Sequence, residues 1–433
     1  MIQLPSGIFT CKINNYEATI IDSSDKHISV RIAEPVTIDN ITIAFFDSDK
    51  YDYTELILLS NNINLIKKFS NEFYYTYNIS IKDIEYTKLY DKLLKQYQDY
   101  IWFKLYEAEP GYESDKEILK TNSYKETLQH WVKNIDLKNT ATYMRNFEVA
   151  LKIDNHKLYK RFIEQDFNAF KKQYFKQAYI GQAIADELNI TRVYLGNEFC
   201  HNLFPSKKLL FQLLDKAAEE KLEITICFTY VRDYLVDYYT ELTAATYNWC
   251  KQQDKKIEVV INDWGMLGMF NNKADYISIS LGVLLNKRKK DSRISYKKDI
   301  NNPLLQLNSL NTDFYSTYLV DNNISRIEYD VPEYKLQPSL DITGSIQIPF
   351  YITNLSQYCG IYNMCTTGNR GTQQLATSCP HYCENKVLSY EAFPMIGIYN
   401  ALFGFNRSIL TDIDILQFYN ENNIDRIVFN FML

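Results

Sequence analysis

Three cysteines in the last fifth of the chain have the spacing of metal ligands. Thirteen residues separate Cys365 from Cys379, and three more separate Cys379 from Cys383. The segment after Cys365 contains glycine and asparagine, which favour a loop that can wrap around a bound group. Thiolates bind both zinc and iron, and four of them complete a tetrahedral zinc site or a cubane cluster. The spacing predicts a metal site and leaves the choice between zinc and iron open.

The fourth ligand must come from another part of the chain. Cys200 follows the predicted strand Arg192–Leu195 through the residues Gly-Asn-Glu-Phe. In a parallel barrel the carboxyl ends of the strands meet at one rim, where the C-terminal cysteine loop could also lie. Cys200 is therefore the expected fourth ligand, and Cys359 is the alternative.

The remaining cysteines and the nearby histidines suggest less. Cys11, Cys227 and Cys250 fall within predicted strands or helices, where a cysteine is usually a small buried apolar residue. His201 and His381 lie next to proposed ligands and are expected to be their neighbours rather than ligands.

Two residues that follow a later strand are candidates for chemistry. Asn262 and Asp263 come directly after the apolar strand Ile257–Ile261. On the active rim of a barrel they could orient a substrate or transfer a proton. The competing interpretation is that this pair caps the next helix, since aspartate is a good N-cap.

The elements that must position these residues divide the chain into three predicted parts. Residues 1–105 read as a small β-rich barrel or sandwich, 106–174 as a helical connector, and 175–433 as an α/β TIM-like (β/α) barrel. An open doubly wound sheet is the alternative to the barrel. The strands predicted for the barrel are Arg192–Leu195, Glu223–Phe228, Ile257–Ile261, Tyr276–Leu281, Ser316–Leu319, Arg326–Tyr329, Ser345–Phe350 and Arg426–Phe429.

Composition limits the function classes. The chain has 433 residues, 46% of them hydrophobic, and a net charge of −6. Because it begins without a basic and apolar leader and has no long apolar run, we expect a cytoplasmic protein with reduced cysteines and no membrane contact. The acidic balance disfavours a general grip on nucleic acid, although the basic segment Asn286–Arg293 could contact an anion.

Three stretches resemble the collagenase-like peptidase U-32 family over residues 175–433. The first is Tyr194–Cys200, which is similar to a barrel strand followed by a cysteine. The second is Val260–Gly265, which contains an Asn-Asp-Trp-Gly motif. The third is the Cys365, Cys379 and Cys383 arrangement.

The resemblance implies a [4Fe–4S] cluster on Cys200, Cys365, Cys379 and Cys383. Several relatives take part in oxygen-independent hydroxylation of ubiquinone precursors or RNA bases, in some cases with prephenate as the implied oxygen donor. The substrate expected from the resemblance is thus a small molecule or RNA. Other relatives are described as peptidases, but the sequence contains no Ser–His–Asp or His-Glu-x-x-His arrangement. A scaffold with a structural metal site, zinc included, and a protein partner on the N-terminal β module is a further alternative.

Overall fold

The computed structural model describes residues 4–70, 73–106, 118–121, 123–135, 137–181, 183–288, 290, 305–390 and 394–433. The chain forms two compact units, Met1–Asp115 and Lys116–Leu433.

The first unit is an antiparallel sheet with a helix, as the β-rich prediction for residues 1–105 implied. Its strands follow the order β5-β4-β1-β2-β3-β7-β6. In β4 the side chains of Ile41, Ile43 and Phe45 alternate into the core, where Tyr86 and Tyr90 of the helix cover them. The elements are β1 (Phe9–Ile13), β2 (Tyr16–Ser24), β3 (His27–Ile32), β4 (Asn40–Asp47), β5 (Asp52–Leu59), β6 (Ile63–Ser70), β7 (Tyr75–Ile81) and α1 (Ile84–Tyr106).

The second unit alternates strands and helices along most of its length. Its elements are β8 (Ile118–Thr121), α2 (Ser123–Val132), α3 (Lys138–Met144), β9 (Glu148–Ile153), α4 (His156–Glu164), α5 (Phe167–Gln177), α6 (Ala183–Glu187), β10 (Ile190–Gly196), α7 (Lys207–Glu219), β11 (Glu223–Cys227), α8 (Val236–Gln253), β12 (Ile257–Ile261), α9 (Met266–Met269), β13 (Ile277–Leu281), α10 (Asp313–Asp321), β14 (Ile324–Asp330), β15 (Gly344–Ile348), β16 (Phe350–Leu355), α11 (Gly360–Thr367), β17 (Lys386–Tyr390), β18 (Met395–Ile398), β19 (Ala401–Phe405), α12 (Ser408–Thr411), α13 (Ile413–Glu421) and β20 (Ile424–Phe429).

Eight parallel strands of this unit close into a barrel in the order β9-β10-β11-β12-β13-β14-β15-β20. The last strand, β20, pairs in parallel with the first, β9, so the sheet has no open edge. The closed barrel is consistent with a TIM-like fold and differs from the open-sheet alternative. A second, antiparallel sheet with the order β16-β19-β18-β17-β8 accompanies it, and this sheet was not predicted.

Two predictions about the barrel are wrong. It begins at β9, inside the predicted connector 106–174, so the strand that contains Arg192–Leu195 is its second strand. The sequence of β9 carries Glu148 and Lys152 among apolar residues. These charges interrupt the apolar pattern expected of a barrel strand, because the polar side chains of β9 face the barrel interior. The predicted strand Ser316–Leu319 lies in helix α10, where Tyr315 and Leu319, one helical turn apart, pack against the core.

Charged side chains fill one layer of the barrel interior. Arg426 donates through Nε to Glu148 Oε2 at 2.6 Å and through Nη1 to Glu258 Oε1 at 2.7 Å. Arg192 donates to the other Glu148 oxygen at 2.7 Å, and Arg326 lies 3.5 Å from Glu258. Cations and carboxylates therefore alternate across the layer, and each buried charge has an opposite neighbour.

Replacement of Arg426 by methionine should destabilise the barrel strongly. Methionine keeps much of the volume but leaves Glu148 and Glu258 short of a cation, which typically costs about 3–5 kcal/mol in a buried ion pair. Urea unfolding followed by tryptophan fluorescence measures the change. The exposed Arg145→Met is the control, expected to change stability by less than about 0.5 kcal/mol. Equal stability of the two variants would contradict the role of this layer.

Candidate functional site

Cys200 is held at the carboxyl end of β10 by the residues that precede it. Gly196 has a φ of +114°, and a Cβ there would lie 2.5 Å from the Cys227 carbonyl oxygen, so the turn requires glycine. Asn197 then donates to the Asp154 carbonyl oxygen at 2.9 Å and accepts from the Cys200 N–H at 2.8 Å. These contacts fix the Cys200 backbone at the rim of the barrel.

Helix α11 brings two more thiols. Cys359 is its N-cap, and its sulfur accepts from the Tyr362 N–H at 3.4 Å and donates to the Tyr399 carbonyl oxygen at 2.9 Å. Cys365 lies within the helix, and Lys386 Nζ is 3.5 Å from its sulfur. Cys359 is thus occupied by backbone partners, whereas Cys365 has a cation beside it.

The loop between α11 and β17 carries Cys379 and Cys383 and contacts the segment that follows Cys200. Asn202 donates to the Ala376 carbonyl oxygen at 2.9 Å, and a ring nitrogen of His381 lies 3.1 Å from the Asn202 carbonyl oxygen. The His381 N–H donates to the Cys379 sulfur at 3.4 Å. The C-terminal loop and the Cys200 segment therefore share one rim, and His381 is a neighbour of the thiols.

The thiols form one electrostatic group. Burial, with a smaller contribution from the thiols of Cys359 and Cys379, raises the pKa of Cys200 to about 12. Burial, followed by Cys379 and Cys365 among other groups, governs the pKa of Cys359, which rises to about 11. Burial also raises the pKa of Cys383, and Cys200, Cys359 and Cys379 add to the rise. Cys200, Cys359, Cys379 and Cys383 thus interact with one another electrostatically, whereas the interaction shown for Cys365 is with Cys359.

The described thiols are not grouped as the ligands of a single metal ion. Among the residues that the structure describes, no three His, Cys, Asp or Glu side chains are grouped closely enough to hold one metal ion. Thiolates of a cubane bind different iron atoms and stand farther apart than the ligands of one ion. Because protonated thiols must lose their protons to bind metal, the raised pKa values imply proton release on loading.

The three other cysteines are in the core, as expected for ordinary apolar residues. Cys11 lies in β1, Cys227 in β11 and Cys250 in α8, and each is at most 3% exposed.

Asn262 and Asp263 lie at the carboxyl end of β12, where both bind backbone groups and Asn262 also donates to Glu198 Oε2 at 3.4 Å. Asn262 donates to the Phe228 carbonyl oxygen at 2.9 Å and accepts from the Leu284 N–H at 3.0 Å. Asp263 accepts from the Val231 N–H at 3.1 Å. Both residues connect neighbouring rim loops, whereas the next helix, α9, has Gly265 as its N-cap and no side-chain capping hydrogen bond, so the capping interpretation is wrong. A catalytic role for Asn262 or Asp263 stays a prediction.

The structure describes residues 286–288 and 290 of the basic segment Asn286–Arg293. Arg288 and Lys290 are buried and form ion pairs with Asp330 at 3.1 Å and 2.8 Å. The part of the segment after Lys290 lies outside the described residues. Arg288 and Lys290 therefore balance a carboxylate of the chain itself.

Sequence reasoning missed the buried polar group at the barrel mouth. Lys152 Nζ lies 2.7 Å from Glu198 Oε1 and 2.9 Å from Gln347 Oε1, and all three side chains are buried. The signal was present in the sequence, because Lys152 interrupts the apolar strand β9. Recognising it required knowledge that β9 is a barrel strand.

Asp154 and Tyr399 form a second pair that the sequence did not reveal. The Tyr399 hydroxyl lies 3.3 Å from Asp154 Oδ2, and Asn155 donates to Oδ1 at 3.1 Å. Burial raises the pKa of Asp154 to about 6, and the charge of Lys152 limits the rise. A carboxyl group that titrates near neutrality can hold or release a proton under working conditions.

Replacement of Asp154 by asparagine should alter the pH dependence of stability. The pKa of Asp154 is higher in the folded protein than in the unfolded chain. The protonated carboxyl therefore costs the folded state little below pH 4, and the free energy of unfolding falls as the pH rises through about 6. Asp154→Asn should therefore gain roughly 2–3 kcal/mol relative to the parent between pH 4 and pH 8. Urea unfolding at both pH values tests this. The exposed Asp321→Asn should show no such gain, and a pH-independent difference for Asp154→Asn would refute the assignment.

No family model, curated protein or solved structure matches this chain. The resemblance to the U-32 family therefore stays a prediction. In the described part of the chain, none of the helices has the length and apolar character needed to span a bilayer.

Proposed function

We propose that the second unit binds a [4Fe–4S] cluster through Cys200, Cys365, Cys379 and Cys383 and acts in oxygen-independent hydroxylation or a related redox modification. The observation that supports the proposal is the electrostatic interaction of Cys383 with Cys200 and Cys379 beside a closed parallel barrel, with Cys365 linked to this group through Cys359. That rim is where barrel enzymes place their chemistry. The substrate class in this proposal is a small molecule or RNA.

A bound cluster would supply one-electron chemistry. The residues of the chain would then position the substrate and manage protons. Tyr399 borders a cavity next to Cys383, and its hydroxyl contacts Asp154. The Asp154 carboxyl, with its pKa near 6, is suited to accept a proton from a group bound beside it, while burial raises the pKa of Tyr399 well above its usual value and keeps that hydroxyl a hydrogen-bond donor. The buried ion pair between Lys152 and Glu198 fixes the position of the rim segment that follows β10.

A structural metal site is the second candidate. The Asn202–Ala376 and His381–Asn202 contacts already hold the C-terminal loop against the rim, and a metal would fasten that loop further. Under this alternative, metal removal would unfold the segment without a separate loss of catalysis.

Purification without air should give a brown protein with about four irons and four sulfides per chain and absorbance near 400 nm. Cys379→Ser should lose the colour and most of the iron because it removes a ligand. Cys250→Ser, which lies in α8 away from the thiol group, is the control and should keep both. A colourless anaerobic protein with stoichiometric zinc would refute the cluster and favour the structural site.

The two thiols of α11 allow a sharper test. Cys365→Ser should abolish iron binding, whereas Cys359→Ser should retain it, because serine can replace cysteine as the N-cap of α11. Iron quantification and the visible spectrum of both anaerobic variants provide the comparison. The reverse pattern would replace Cys365 by Cys359 in the ligand set.

A further inference from the structure

A cavity of about 700 Å³ lies beside the thiol group in the second unit. Cys383 and Tyr399 belong to its wall, together with residues of α2, α4, α5 and β17. Its size is that of a site for a small organic ligand. The proposed function uses Cys383 and Tyr399 of this wall and gives no role to its other residues.

The cavity wall is strongly cationic, although the whole chain has a net charge of −6. The cationic side chains on it are Lys125, Lys157, Arg161, Lys172, Lys176 and Lys386. Among the described lining residues, Glu384 is the acidic one. Like charges gathered around a cavity repel one another, so the arrangement favours an anion that neutralises them.

Some of these cations have partners in the chain. Lys172 pairs with Asp186 at 3.1 Å. Lys157 donates to the carbonyl oxygen of Glu384 and to Asn385 Oδ1, and both acceptors are uncharged. Arg161 donates to the side-chain oxygen of Gln177, which is also uncharged. The charges of Lys157 and Arg161 therefore are not cancelled by these contacts.

The rest of the wall is apolar and partly aromatic. Its residues include Tyr124, Leu128, Val387, Ile398 and Tyr399. A bare inorganic anion would leave this surface without a partner. A ligand that carries both an anionic group and a flat apolar group satisfies the two halves of the wall together.

We propose that this cavity binds a nucleotide, with its phosphate at Arg161, Lys157 and Lys176 and its base against the apolar wall. Phosphate accepts several charge-assisted hydrogen bonds at once, which matches more than one cation. The nucleotide comes either free or as part of an RNA strand, and the chemistry of recognition is the same. The cavity and its cations form this binding site, so nucleotide binding does not depend on the metal content of the protein.

Isothermal titration of the full chain with adenosine 5′-monophosphate tests the proposal, in samples whose iron content is measured. The nucleotide should bind at least tenfold more tightly than adenosine, because adenosine lacks the phosphate. Equal binding of the two, or no binding of the nucleotide, would overturn the proposal.

Variants locate the site. Lys125→Gln/Lys176→Gln changes two exposed side chains of the wall, so the fold should be retained, and it should weaken nucleotide binding about tenfold. Arg161→Gln should weaken it at least as much. Lys208→Gln, an exposed lysine on α7 away from the cavity, should bind like the parent. Unchanged affinity in both cavity variants would overturn the assignment.

A ten-nucleotide single-stranded RNA separates the two sources. Binding of this RNA more than tenfold tighter than the mononucleotide, with the same sensitivity to Lys125→Gln/Lys176→Gln, assigns the site to an RNA strand. Equal or weaker binding assigns it to a free nucleotide. Cys379→Ser, whose metal content is measured in parallel, should bind the nucleotide like the parent even if the cluster proposal fails.

Discussion

The ion pair between Lys152 and Glu198 is the constraint on which the barrel mouth depends. Both side chains are almost wholly buried, their charged atoms are 2.7 Å apart, and Gln347 contacts both. Glu198 belongs to the segment after β10, so the pair ties that segment to β9 and β15. Either charge without the other would be buried and uncompensated, which is costly in a protein interior. The rim segment therefore has one favourable position.

The positions of the thiols follow from this pair. Asn197 and Cys200 are close to Glu198 in sequence. The position of the Glu198 carboxylate therefore restricts where the Cys200 backbone lies on the rim. On the other side, Lys152 is two residues from Asp154, which contacts the Tyr399 hydroxyl. The Tyr399 carbonyl oxygen accepts from Cys359. A continuous set of polar contacts thus joins the barrel interior to both cysteine segments.

The sequence allowed the apolar barrel strands and the cysteine segment to be predicted, because each has a local signal. The strand Ile257–Ile261 is a continuous buried run, and the cysteine spacing is visible without a structure. What could not be predicted depends on partners distant in sequence. Strand β9 was missed because its charges are stabilised by Glu198 and Arg426, up to 278 residues away. The proximity of Cys359 to the other thiols likewise depends on how the segment folds back.

Net charge was the least informative property of the sequence, because the charges are distributed unevenly. Burial opposes ionisation of Cys383 and raises its pKa, so a thiolate there needs nearby positive charge. The cationic cavity wall lies next to Cys383, and Lys386 of that wall reaches the Cys365 sulfur at 3.5 Å. Lys386 therefore supplies positive charge on the thiol side of the wall. The phosphate site at Arg161, Lys157 and Lys176 uses other cations of the wall, so the two groups of charges are separate parts of one cationic surface.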